Sequence, residues 1–227
     1  MSITGIALIL FLTLHMSMNV VALFSGAAYN MICEFLGASW YAIAGTLVLA
    51  ALAVIHIVYA FWLTLQNRAA RGSERYAVTD TPKQVEWASQ NMLVLGIIVL
   101  LGLLLHLFNF WYNMMFAELF HTTVPYAPGD GFAYVKATFG CPVFVILYVV
   151  WLAALWFHLT HGFWSAIHTL GWSGKIWFYR WKVIGNIYTT LLILGFLVVL
   201  LAFAFGVAPS LSEGCCGGCA ADICPLR

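Results

Sequence analysis

Seven histidines are the side chains of this protein best suited to chemistry, because other ionisable residues are scarce in the sequence. Six of them lie within or near long apolar stretches: His15, His56, His106, His158, His161 and His168. An imidazole in such a stretch can ligate a metal, relay a proton or hydrogen-bond a neighbouring helix. Ionisable groups inside a bilayer are costly and commonly mark a functional site. The elements that carry the histidines decide between these roles.

The composition assigns the chain to a membrane. Hydrophobic residues make up 64% of it and charged residues 7%, whereas soluble proteins carry roughly 25% charged residues. The mean hydropathy is +0.98. A soluble enzyme is therefore excluded, and so is a nucleic-acid-binding protein, because a net charge of +1 provides no phosphate-binding patch.

Uncharged stretches predict five membrane-spanning helices. Each exceeds the roughly 20 apolar residues that a bilayer crossing requires, and only a helix or a closed barrel satisfies its backbone hydrogen bonds in lipid. The predicted spans are 3–27, 40–66, 88–117, 143–170 and 184–208. The sequence thus predicts an all-α membrane protein with a five-helix domain over residues 1–208 and a cysteine-rich tail over 209–227.

Basic residues predict the orientation of the bundle. The connectors 68–87 and 171–183 hold seven of the nine Lys and Arg residues. Cytoplasmic loops of membrane proteins are enriched in these residues. We therefore expect a cytoplasmic N-terminus, a periplasmic C-terminus and a multi-pass protein of a bacterial inner membrane.

The histidines fall at two depths in these spans. His15 and His106 each lie about a dozen residues from the outer ends of their spans, or about 18 Å along the helix. His56 and His158 each lie about sixteen residues from the outer starts of theirs, or about 24 Å. Two imidazoles at each of two depths is the requirement for two bis-histidine hemes. His161 competes with His158, because residues three apart share a helical face and spacing does not separate them.

Four short motifs occur in order along the chain. They are Thr4-Gly5 with Leu12, His15 and Met16; His56 with Ala60, Arg68 and Tyr76; Gly96 and Gly102 before His106-Leu107; and His158 with Gly162 and Gly171-Trp172. Together they resemble the five-helix, diheme cytochrome b subunit that anchors succinate dehydrogenases and quinol:fumarate reductases in the membrane. The resemblance covers all five spans.

The resemblance implies the ligands, cofactors and partners. It pairs His15 with His106 at an outer, distal heme b, and His56 with His158 at a cytoplasmic, proximal heme b, which favours His158 over His161. The implied partners are a flavoprotein subunit, an iron–sulfur subunit, membrane lipid and menaquinone or menaquinol. The chain would be the quinone-reactive subunit of the enzyme complex and would not act on dicarboxylates by itself. Fumarate reduction and succinate oxidation both remain open.

Glu34 is the expected catalytic residue at the quinone. A lone loop acid is usually only solvated, but members of the resembling family carry a glutamate just past the first helix that accepts the quinol proton, and Glu34 falls on that position. Electrons would then pass inward through both hemes to the iron–sulfur subunit. The chain departs from some relatives at Trp156, where they carry a glutamate proposed to relay protons across the membrane. The sequence therefore leaves open both a compensating proton path and electrogenic turnover.

The six cysteines are all predicted to lie on the outer side, which permits disulfides. They are Cys33, Cys141, Cys215, Cys216, Cys219 and Cys224. One to three disulfides are expected, with an unknown connectivity. Cys216 and Cys219 form a CxxC motif that could instead bind zinc or act as a redox pair.

Two other functions remain open from sequence. Cytochrome b subunits of formate dehydrogenases and hydrogenases also use membrane histidines, although their usual four spans fit this chain less well. A proton or solute transporter lined by histidines belongs to a different class. A transporter would be expected to carry a midplane acid or a broken helix, and the sequence shows neither.

Overall fold

The computed structural model describes residues 1–72 and 86–208. Five of its helices are long and apolar enough to cross a membrane: Ser2–Val21, Trp40–Arg71, Met92–Phe120, Pro142–Thr169 and Lys175–Ala204. The described residues contain no strand. The predicted all-α fold and its five spans are confirmed, whereas the orientation stays a prediction. The cysteine-rich tail and the basic residues Arg75 and Lys83 lie outside the described residues.

We number the helices in chain order. They are α1 (Ser2–Val21), α2 (Gly26–Phe35), α3 (Trp40–Arg71), α4 (Trp87–Gln90), α5 (Met92–His106), α6 (Ala117–Phe120), α7 (Gly131–Phe139), α8 (Pro142–Thr169) and α9 (Lys175–Ala204). A π-helical segment, Leu107–Phe116, joins α5 to α6. We call the end of the bundle that carries α2 and α7 the outer end, following the predicted topology.

The first span ends at Val21, six residues before the predicted end, because a new helix starts at Gly26. The Ser25 hydroxyl caps α2 by accepting a hydrogen bond from the Ala28 amide at 3.2 Å. A serine at this position satisfies one of the free amides of a helix start. The break separates α2, which carries Glu34, from the membrane-spanning helix.

The predicted outer loop contains a second short helix. The Asp130 carboxylate caps α7 and accepts a hydrogen bond from the Ala133 amide at 3.1 Å. Phe132 and Tyr134 of α7 are buried against the bundle. The loop is therefore an ordered cover on the outer end, and it places Asp130 beside α2.

The third span is irregular between Leu107 and Phe116, directly after His106. Asn113 Nδ2 donates to the carbonyls of Phe108 at 2.9 Å and Asn109 at 3.1 Å. The buried Asn109 amide donates to the Tyr148 hydroxyl at 3.2 Å. π-Helical turns are rare and occur frequently at functional sites.

The fifth span begins at Lys175, nine residues before the predicted start. The charged residues that ended the apolar stretch lie within the helix. The Arg180 guanidinium lies 5.1 Å from the centre of the Trp177 ring, and Lys182 Nζ lies 4.5 Å from that of Trp164. Long basic side chains at a membrane boundary rest on aromatic rings and extend their charge toward the headgroups.

Helices α8 and α9 form the packed centre of the bundle, with α1 against both. Thr189 is fully buried there, and its hydroxyl donates to the Gly185 carbonyl at 2.8 Å. A Cβ at Gly185 would lie 2.6 Å from the Phe163 ring, so this glycine permits the close approach of α9 to α8. By contrast, α3 has no buried residue. Helix α3 therefore lies at the edge of the bundle.

Candidate functional site

The outer histidine pair joins α1 to α5. The ring centroids of His15 and His106 lie 5.7 Å apart. Aromatic rings surround the pair on both sides: Phe11 and Phe196 near His15, and Phe110, Tyr148 and Trp151 near His106. The two imidazoles thus face each other in an apolar, aromatic environment.

The inner histidine pair joins α3 to α8. The ring centroids of His56 and His158 lie 6.5 Å apart. A Cβ added at Gly5 would lie 3.6 Å from Cε1 of His56, and one at Gly96 would lie 3.8 Å from Cε1 of His158. A glycine on a neighbouring helix therefore lies beside each ring. The structure brings together the same two pairs that helix depth indicated.

The spacing of the pairs fits a metal held between two imidazoles. Metal–nitrogen bonds are about 2.0 Å long, so two imidazoles on opposite sides of one metal have centroids roughly 6 Å apart. The observed separations of 5.7 and 6.5 Å lie on either side of this value. His106 Nδ1 and His158 Nδ1 are buried and have no hydrogen-bond partner. A buried polar atom without a hydrogen-bond partner destabilises the folded protein, and such atoms are often retained at functional sites.

The number of ligands discriminates between kinds of metal site. Within residues 1–72 and 86–208, no group of three or more His, Cys, Asp or Glu side chains is placed to hold a metal ion. Protein sites for a bare zinc ion use three or four side chains. A heme iron needs only two axial ligands from the protein, because the porphyrin supplies the other four nitrogens. The two histidine pairs therefore fit b-type hemes better than bare ions.

His161 contacts Glu86, whereas His158 is the histidine that lies beside His56. The Nδ1 atom of His161 lies 3.7 Å from Oε2 of Glu86. Of the two histidines that spacing could not separate, the structure places His158 beside His56. His168 contacts the Phe178 ring and Ser173, and His121 is exposed at the end of α6 with φ +51°.

An ion pair lies at the inner end of the bundle. Lys182 Nζ donates to Glu86 Oε1 at 2.7 Å. Burial by itself raises the pKa of Glu86, but the hydrogen bond from Lys182 and its charge hold that pKa below the usual value. Sequence analysis did not find this pair, because its members are far apart in the chain.

Glu34 lines a polar cleft at the outer end of the bundle. The cleft has a volume of about 450 Å³, and Asn30, Glu118 and Asp130 also line it. Asn30 Nδ2 donates to Asp130 Oδ1 at 2.8 Å, and the Ala38 amide donates to Glu118 Oε2 at 3.0 Å. Glu34 itself is exposed. Sequence analysis missed Glu118 and Asp130 as neighbours of Glu34; Glu118 lies at the outer end of the third span and Asp130 in the outer loop that follows it.

A chain of hydrogen bonds ties α2 to the outer histidine pair. The Tyr29 hydroxyl donates to Asn19 Oδ1 at 3.1 Å, and Asn19 Nδ2 donates to the His15 carbonyl at 2.8 Å. Glu118 follows His106 by twelve residues on one continuous helix, so the cleft lies at most about 18 Å along it from that ring. Among the described residues, no side-chain hydrogen bond joins Glu34 to either histidine.

Cys33 carries a free thiol, so the upper expectation of three disulfides is wrong. A Cβ at Gly131 would lie 2.4 Å from Cys33 Sγ, which shows how tightly the thiol is enclosed between α2 and α7. Burial raises the pKa of Cys33 to about 11. Cys141 is buried, and the four cysteines of the tail lie outside the described residues, as does their proposed zinc or redox motif.

The chain was compared with family models, curated proteins and solved structures, and none of them matches it. The resemblance to diheme cytochromes b therefore rests on the motifs of the sequence.

Proposed function

We propose that this chain is the membrane-anchor cytochrome b subunit of a quinol:fumarate reductase or succinate:quinone reductase. It would exchange electrons between a quinone pool near the outer end and a dicarboxylate-converting complex at the inner end. The observation that carries the proposal is the presence of two histidine pairs at different depths, His15–His106 and His56–His158, each with the ring separation of a bis-imidazole site.

Each pair draws its two histidines from different helices. His15 and His56 come from α1 and α3, and His106 and His158 come from α5 and α8. Bound between these imidazoles, two b-type hemes would supply one-electron carriers at two depths of the bundle. Aromatic rings pack around His15 and His106, and His158 lies on α8, one of the two helices at the packed centre of the bundle.

The outer cleft is the proposed quinol site. Oxidation of a quinol to a quinone releases two protons and two electrons, so a base must lie beside the ring hydroxyls. The Glu34 carboxylate would take a proton from the quinol hydroxyl, and its exposure lets that proton pass to outer water. Asp130 is held by Asn30, and Glu118 is held by the Ala38 amide, which leaves Glu34 as the carboxylate best able to move toward a substrate.

The inner end is the proposed docking surface for the iron–sulfur subunit. Arg68 and Arg71 are exposed at the end of α3, and Lys175 and Arg180 are exposed at the start of α9. A surface rich in basic side chains favours an acidic partner and speeds its association. The same basic residues also predict the orientation of the chain in the membrane. If they dock a partner as well, reversing their charge should weaken complex formation.

Heme content tests the proposal directly. The purified chain, reduced with dithionite, should show a b-type α band and contain two hemes per chain. His15→Ala and His106→Ala should each remove the same heme, and His56→Ala and His158→Ala should each remove the other. His161→Ala is the matched control and should retain both. A chain without any α band would overturn the proposal and favour the transporter alternative.

A second experiment tests the role of Glu34. In Glu34→Gln, the rate of heme reduction by a menaquinol analogue should fall at least tenfold while both hemes remain bound, because a general base typically contributes 10²–10⁴-fold. Glu118→Gln is the matched control from the same cleft and should have a smaller effect. Wild-type rates in Glu34→Gln would exclude Glu34 as the proton acceptor.

A further inference from the structure

Thr4 on α1 contacts the ring of His56 across the interface with α3. Its hydroxyl oxygen lies 3.1 Å from His56 Nδ1. The same oxygen lies 2.9 Å from the carbonyl of Met1, the N-cap residue of α1. Thr4 is buried, with 8% of its surface exposed. The hydroxyl therefore has two polar neighbours in a site with little access to water.

The proton count at this hydroxyl fixes the direction of both hydrogen bonds. A threonine hydroxyl carries one proton and can otherwise only accept. The Met1 carbonyl can only accept, so the proton of Thr4 goes to it. The hydroxyl must then accept from His56, which requires a proton on Nδ1. In a neutral imidazole this leaves Nε2 unprotonated, with its lone pair free.

We propose that Thr4 holds His56 in the tautomer that ligates iron through Nε2, and that it increases the basicity of that ligand. This inference rests on the proposed function, because it assigns a positioning residue to the inner heme site. Hydrogen-bond acceptors on the second nitrogen of a ligating histidine fix its orientation and raise its basicity. A more basic axial ligand favours ferric over ferrous iron, so the hydroxyl lowers the midpoint potential of the inner heme.

The other histidines of the two pairs differ from His56 in this respect. His106 Nδ1 and His158 Nδ1 are buried without a hydrogen-bond partner. Within the described part of the chain, Thr4 is the only side chain seen to hydrogen-bond an imidazole of the two pairs. A change at Thr4 should therefore alter one heme and leave the other unchanged.

The test is an optical redox titration of the purified chain that carries both hemes. Thr4→Val keeps the side-chain shape and removes the hydroxyl, and Thr4→Ser keeps the hydroxyl. Thr64→Val is the matched control, because the Thr64 hydroxyl donates only to the Ala60 carbonyl of its own helix, at 2.9 Å. In Thr4→Val the midpoint potential of one heme should rise, and in Thr4→Ser and Thr64→Val both potentials should stay near wild type.

Each outcome bears on the proposal. If Thr4→Val keeps two hemes and neither potential rises, Thr4 does not tune the ligand. If Thr4→Val loses the inner heme and Thr4→Ser retains it, the hydroxyl is required and the proposal stands. Loss of that heme from both variants would instead assign Thr4 to helix packing and overturn the proposal. A wild-type chain that binds no heme would overturn the proposed function as well, so the two failures are distinguishable.

Discussion

Gly102 on α5 lies against Trp151 of α8, and replacing it by alanine tests how the outer histidine pair is held. A Cβ at position 102 would lie 2.0 Å from Cδ1 and 2.2 Å from Cγ of the indole, whereas ordinary contacts are 3.4–4 Å. Trp151 cannot easily move away. Its Nε1 donates to the Val99 carbonyl at 3.0 Å, and its ring packs 5.6 Å from the ring of His106.

The expected cost follows from this overlap. The indole or the helix must shift by about 1.5 Å, and forced overpacking costs about 1–3 kcal/mol. Loss of the Trp151 hydrogen bond adds about 1 kcal/mol. Alanine recovers about 0.5–1 kcal/mol of helix propensity over glycine. The net destabilisation is about 2 kcal/mol, which corresponds to a fall in Tm of roughly 4–8 °C for a chain of this size.

Thermal unfolding in detergent, followed by circular dichroism, measures this effect. Gly162→Ala is the matched control, because no heavy atom lies within 4 Å of a Cβ at that position on α8. It should leave the Tm unchanged or raise it. If Gly102→Ala melts at or above the wild-type temperature, close packing of α5 on α8 does not hold Trp151 against His106.

Three further predictions concern residues outside the histidine pairs. The raised pKa of Cys33 keeps its thiol protonated at pH 8, so alkylation by iodoacetamide should be on the order of a hundredfold slower than for an unperturbed thiol. Peptide-resolved mass spectrometry should show fast labelling of Cys33 only after unfolding in SDS. Fast labelling of the native chain would contradict the burial of this thiol. Because the pKa of Glu86 is lowered, its ion pair with Lys182 stabilises the fold at pH values above the usual glutamate pKa of about 4.3, and this stabilisation is lost as the pH falls through the lower pKa of the folded state. The fall in Tm between pH 7 and pH 3 should therefore be smaller in Lys182→Met than in wild type. Equal falls would show that the ion pair contributes nothing to stability. Trp156→Phe removes the 2.9 Å hydrogen bond from Nε1 to the Thr190 hydroxyl and should lower stability by about 1 kcal/mol with heme content unchanged; an unchanged Tm would show that this bond is not stabilising.

The number and class of the helices could be predicted from the sequence because bilayer thickness sets a minimum length for an uncharged stretch. The helix ends could not, because they depend on local interactions. The Ser25 cap starts a separate helix before the predicted end of the first span, and Arg180 and Lys182 rest on aromatic rings inside a helix that the charge pattern excluded. Charge marks the water boundary approximately, whereas the helix itself continues past that boundary.

The depth of each histidine in the membrane could be predicted from the sequence, but the direction in which its side chain leaves the helix could not. Counting 1.5 Å per residue assigns a level to each imidazole and leaves its rotation about the helix axis open. His158 and His161 share a helical face. Their contacts differ because Glu86, from a distant part of the chain, lies beside His161, while His56 lies beside His158. The depth estimate assumed a regular α-helix, but the third span becomes π-helical at Leu107. Nothing in the composition of this segment predicted the change.

The position of the acids gives a final, testable consequence for energy coupling. Within the five described spans the only carboxylate is Glu118, which lies near the outer end of its helix. Apart from Glu118, these spans therefore contain no carboxylate that could carry protons inward through the bilayer, and Trp156 is instead hydrogen-bonded to Thr190. Under the proposed function, protons released at the outer cleft would stay outside while the electrons moved inward. Turnover should then separate charge across the membrane.

If the proposed function holds, the complex reconstituted into liposomes should build a membrane potential, positive on the outer side, when quinol oxidation is coupled to fumarate reduction. Each electron moved against 100 mV costs about 2.3 kcal/mol, so a proton ionophore should accelerate turnover once the potential has formed. A potential-sensitive dye and the fumarate reduction rate measure both effects. Turnover that generates no potential and is insensitive to the ionophore would require an inward proton path, which these spans do not provide through carboxylates.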